Sequence, residues 1–278
     1  MQLPAPPLGF RRAIVYGGAR FAPPLVLMLL FKLFAVPLLV ALMSLAGKRF
    51  GHAVAGLLAG IPIVAGPILA VMTIEHGTAF GAQAAIGTLV GLFSYAAFAV
   101  AYARAAVHLR WPLALLLSWL VFLAVSALLS LVHFSAVAAC LFALLLPPLA
   151  RPLLPAYAHA LPAPHLPRSE LAWRMLAAAL MALALTAVAA LVGPTVAGLL
   201  TPFPVVTSVL TVFTHRAGGA PAVVQLAHGV GLGLYSLVGF FSMAVLLIPA
   251  QGLLVAMLAA VSVALATQAL VYRIKLHA

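Results

Sequence analysis

The sequence predicts an all-α, polytopic transmembrane bundle of about nine spans, built as an inverted repeat of four helices, one connecting span and four more helices. Three observations carry that prediction: the composition, the length of the apolar blocks, and a self-similarity that lays Gly56 on Gly198. Of 278 residues, 67% are hydrophobic and only 6% are charged, and the mean hydropathy is +1.28. A soluble domain carries about 25% charged residues, so this chain cannot cover a water-facing surface. Its apolar blocks run to about twenty residues, the length a helix needs to cross roughly 30 Å of hydrocarbon. In lipid only helices and closed barrels pair all their backbone polar groups, and the blocks lack a barrel's alternation.

Residues 1–21 form a surface tail holding Arg11, Arg12 and Arg20. The apolar block from Phe21 to Ala46 is too long for a signal-peptide core, and no small-residue cleavage site follows, so it reads as a retained span. The first repeat, 22–131, contains spans at about 22–46, 53–73, 79–103 and 112–131. A connecting span falls at 133–150, within residues 132–150, and the proline-rich stretch 151–170 is the linker between the halves. The second repeat, 171–273, contains spans at about 171–192, 195–214, 221–247 and 251–272, and 274–278 is a short tail.

Basic residues orient these spans. With the amino terminus outside and the carboxyl terminus cytoplasmic, Lys48, Arg49, Arg104, Arg110, Arg151, Arg168, Arg174, Arg216, Arg273 and Lys275 reach the cytoplasmic side. Arg11, Arg12 and Arg20 fall on the opposite side, against the trend. The expected location is a plasma (bacterial inner) membrane, with the bilayer as the immediate partner. The net charge of +12 does not point to nucleic acid, because no basic run exceeds two residues and none is interleaved with aromatics.

The repeat is read without a gap. Gly56–Val64 (GLLAGIPIV) aligns with Gly198–Val206 (GLLTPFPVV), and then Gly77, Gln83, Gly87, Gly91, Ser94 and Phe98 meet Gly219, Gln225, Gly229, Gly233, Ser236 and Phe240. Thirteen of the 43 aligned positions are identical, among them glutamine, proline and serine, which apolar low complexity does not supply. Five spans separate equivalent elements. An odd number makes the two copies cross in opposite directions, the arrangement common in secondary transporters.

Candidate site residues cluster at matching interruptions. Gly60, Pro62, Gly66 and Pro67 break the second span, and Pro202 and Pro204 break the seventh, where Thr207 and Ser208 add hydroxyls. Proline removes a backbone donor and clashes one turn back, so polar backbone groups are freed there for a ligand or for packing alone. Gln83 and Gln225 lie on the glycine stripes of the third and eighth spans and are candidate ligand contacts. The glycines themselves suit close helix packing. Two charged residues are candidates for coupling, Lys32 within the first span and Glu75 at the outer end of the broken one.

No catalytic residue, metal or cofactor is expected. Cys140 stands alone, no two of the nine histidines share an i, i+4 helix face, and no glycine-rich phosphate loop precedes a helix. The sequence therefore points to a small secondary transporter or facilitator of an unnamed solute working by alternating access. The competing expectation is a non-transporting scaffold or lipid-handling component, in which glycines and prolines serve packing only.

Overall fold

The computed structural model describes residues 23–156, 166–191 and 203–277, and these are predominantly helical, with no strand among them. The tail 1–21, Pro202 and the first residues of the Gly198–Val206 copy lie outside the described residues. Nine elements follow in order: α1 (Pro23–Phe50), α2 (His52–Leu58), α3 (Ala65–His76), α4 (Thr78–Ala105), α5 (Trp111–Ser130), α6 (Ala136–Leu144), α7 (Leu146–Leu153), α8 (Arg168–Leu191) and α9 (Val205–His277). Among the described residues, six stretches are long and apolar enough to cross a membrane: Leu33–Phe50, Thr78–Ala105, Trp111–Ser130, Ala136–Leu153, Arg168–Ala187 and Val205–Ile274.

The second expected span is a broken helix. After Leu58 the chain tightens into three-residue turns, with Ala59, Gly60 and Ile61 donating to the carbonyls of Gly56, Leu57 and Leu58 at 3.0–3.1 Å. Pro62 has no N–H with which to continue. Helix resumes when Gly66 N–H donates to the Pro62 carbonyl at 2.9 Å. Pro67 sits in the first turn of α3, where a missing donor costs little, so it starts a helix rather than breaking one.

The last 73 residues of helix are not one rod, which would be about 110 Å long. Gly219 (φ 65°, ψ −165°) and Gly252 (φ 80°, ψ 173°) leave helical geometry inside α9. Past Gly252 the chain doubles back, so Ser236 Oγ donates to the Ala264 carbonyl at 2.9 Å, a pair about 42 Å apart on a straight helix. A turn at Gly219 lets Leu210 and Leu226 share one cluster. The three segments are thus 205–218, 220–251 and 253–277. Gly77, at the turn into α4, also has positive φ, so two glycines aligned by the repeat both adopt a conformation that L side chains resist. The parallel stops there. Gly252 aligns with Arg110, an extended N-cap residue at φ −66°.

Packing follows small residues inward and leucines outward. On the third segment of α9, Ala256, Ala260, Ala264 and Gln268 are buried at every fourth position, while Leu254, Leu258, Val261 and Leu265 are exposed. That division suits helices in lipid, where close backbone approach drives association. The main core joins α4 and α9 through Leu89, Ala85, Phe240, Phe241 and Ile248. A second cluster joins α1, α8 and α9 through Val40, Ala178 and Leu210.

Candidate functional site

Where α2 breaks, it lies directly on the second segment of α9. Gly56 and Gly60 face Gly229 and Gly233 across a crossing so close that a methyl on any of them would meet backbone atoms of the opposing chain. A Cβ at Gly233, for instance, would lie 2.8 Å from the Leu57 carbonyl oxygen and 2.9 Å from Gly60 N and Cα. Gly60 therefore serves packing, and so do Gly229 and Gly233, as the stripe suggested. Gly87, aligned with Gly229, does not: nothing lies within 4 Å of a Cβ placed there. Gly66 packs under the Phe240 ring, 3.1 Å from where its own Cβ would be.

Gln268 closes the end of the broken helix. Its Nε2 donates to the Leu57 carbonyl at 2.7 Å, while its Oε1 is buried with no hydrogen-bond partner among the described residues. The side chain is 8% exposed. A buried acceptor left without a donor is unfavourable by roughly 1–3 kcal/mol, and a bound donor removes that cost. Ser126 and Ser94 also have a buried Oγ without a partner among the described residues. Gln268 lies beyond the 43 aligned positions, so the repeat does not mark it. The available signal was a carboxamide inside an apolar block.

At the second interruption, Pro204 is buried at the start of α9. Thr207 and Ser208, 2% and 1% exposed, are engaged by aromatic residues of the first half. The Tyr95 and Thr207 hydroxyls share a 2.7 Å hydrogen bond, and Trp119 Nε1 donates to Ser208 Oγ at 3.0 Å. Phe203 fills the space beside them, its ring centroid 5.6 Å from Trp119 and 5.3 Å from Phe122. Both interruptions border one apolar cluster, to which Ala59 and Val64 contribute from the first and Val205 and Val206 from the second.

Other candidates stand apart. Gln83 is exposed near the start of α4 and Gln225 is half-buried. Neither lines the two cavities that flank α8. Glu75 is exposed beside His76, with 4.0 Å between Oε2 and Nδ1. The backbone of Lys32 lies in α1, and its side chain is outside the described residues. Exposed Pro67 takes no part in the crossing.

Arg174, in the second turn of α8, is a buried charge. It is 5% exposed. Its Nε and Nη2 donate to Glu170 Oε1 at 3.0 and 2.6 Å, Nη1 donates to Ser44 Oγ at 3.2 Å, and its guanidinium lies 5.3 Å from the Phe213 ring centre. Glu170, four residues earlier on α8, allows this by taking the charge. His52, the first residue of α2, lines the same narrow space as Ser44, Arg174 and Thr214. No group of three or more metal-ligating side chains occurs among the described residues.

No protein-family model, curated protein or solved structure matches the chain.

Proposed function

We propose that the chain is a small secondary transporter or facilitator that moves a small solute across the plasma (bacterial inner) membrane by alternating access. In this reading the nine crossings are α1, the broken α2–α3 pair, α4, α5, the α6–α7 stretch, α8, and the three segments of α9. The amino terminus is outside and the carboxyl terminus cytoplasmic. The aligned positive-φ glycines at Gly77 and Gly219 support an inverted pair of four-helix units joined by the α6–α7 span.

One observation carries the reading: the buried, half-satisfied Gln268 carboxamide on the broken end of α2. A scaffold gains nothing from an orphan acceptor in the membrane, whereas a carrier uses one to hold a solute through a donor group. The common cluster beneath both interruptions gives the two halves a shared surface on which to rock. Coupling through Glu75 or Lys32 is secondary to this.

The test is a thermal-shift screen of donor-bearing metabolites on the purified chain, followed by liposome flux with each hit. Gln268→Leu should abolish both the shift and the flux, whereas Gln83→Ala should preserve them. A hit whose shift survives in Gln268→Leu, or flux no greater than in empty liposomes, would overturn the proposal. The alternative, a non-transporting scaffold or lipid-handling component, is favoured by the tight contact of Gly56 and Gly60 with Gly229 and Gly233.

A further inference from the structure

A cavity of about 670 Å³ lies between α8 and the end of the first segment of α9. It falls in the size range of sites that bury a drug-sized ligand, roughly 300–1,000 Å³. Its walls change character along its length. Trp173, Leu176, Ala177 and Leu180 form an apolar side, and Ser169, Glu170 and Arg216 form a polar end. Trp173, Leu176 and Leu180 occupy one face of α8 and are 63%, 46% and 57% exposed.

The charges at the polar end are not equivalent. Glu170 Oε1 already receives two bonds from Arg174, which is buried and stacked on Phe213. Arg216 approaches the same ring, 5.9 Å from its centre, but is exposed and has no acidic partner among the described residues. Exposed Arg168 stands two positions before Glu170. With one acid against three arginines, this end is positive, and its acid is not free to attract an ammonium headgroup.

We infer that this groove holds an anionic phospholipid, its acyl chain along Trp173, Leu176 and Leu180 and its phosphate against Arg216. The apolar wall selects a molecule supplied by the bilayer rather than a water-soluble anion. The commitment of Glu170 to Arg174 selects against zwitterionic headgroups, whose cation would find no partner. This inference does not depend on transport, and it would hold equally for a scaffold.

The test uses the full chain in nanodiscs of phosphatidylcholine into which either phosphatidylglycerol or phosphatidylcholine with brominated acyl chains is titrated. The Trp173 signal is the difference between the parent and Trp173→Phe. Brominated phosphatidylglycerol should quench it at a mole fraction about five-fold lower than the brominated choline lipid, the effect of one arginine on an anionic headgroup. Arg216→Gln should erase that preference and leave quenching by the choline lipid unchanged, and Arg216→Lys should retain most of it. The proposal is overturned if both lipids quench the parent alike, or if Arg216→Gln keeps the preference. It is also overturned if millimolar inorganic phosphate abolishes the preference, since the site would then belong to a free anion.

Discussion

Adding a single methyl group tests how the two halves meet. At Gly233 it would lie 2.8 Å from the Leu57 carbonyl oxygen and 2.9 Å from the Gly60 backbone. Favourable contacts begin near 3.5 Å, so α2 and α9 must part by about 0.6 Å, and no rotamer change can relieve backbone atoms. Overpacking of this kind costs about 1–3 kcal/mol. Alanine recovers about 1 kcal/mol over glycine through helix propensity. Gly233→Ala should therefore lose about 1 kcal/mol. Gly229→Ala, whose methyl overlaps the Ala53 carbonyl more deeply, should lose about 2 kcal/mol, roughly a thirty-fold change in the folding equilibrium. Gly87→Ala meets nothing within 4 Å and should be neutral or stabilising. Equilibrium unfolding in mixed micelles, followed by circular dichroism, ranks the three variants. If Gly229→Ala equals the parent, or Gly87→Ala is as damaging as Gly233→Ala, the crossing has been misplaced.

Two further outcomes are expected. In a Cys140→Ala background, Thr78→Cys and Ala220→Cys, each just past an aligned glycine turn, should react with an impermeant maleimide from opposite sides of the membrane. Labelling of both from one side removes the inverted repeat. Arg174→Ala should cost about 3 kcal/mol, because it strips a buried charge from Glu170 and a cover from Phe213, and a thermal-unfolding midpoint equal to the parent's would contradict the pairing.

Local chemistry made much of this fold legible. Pro62 has no donor, so a break near Gly60 could be read from residue type alone, and GxxxG spacing pointed correctly to Gly229 and Gly233. The same spacing misled at Gly87, because spacing places residues on a helix face without saying what that face meets. The least legible parts are pairings across long sequence separations. Gln268 meets Leu57, Tyr95 meets Thr207 and Arg174 meets Ser44 only after the halves have docked. No periodicity within one helix encodes such partners. The burial of Arg174 was not legible, because hydropathy counts a cation without seeing the Glu170 beside it.

The broken helix also has a consequence for synthesis at the membrane. The seven residues of α2 span only about 10 Å, and the polar turns that follow need partners made of protein rather than lipid. Their cover comes from Gly229, Gly233 and Gln268, and Gln268 is 211 residues downstream of Leu57. At translation rates of about 5–20 residues per second, α2 waits roughly 10–40 s for the last of its neighbours to leave the ribosome. During that interval the first half holds an exposed polar break at the edge of the bilayer or in the keeping of the insertion machinery. A nascent chain cut before Gln268 would leave the Leu57 carbonyl without its side-chain donor.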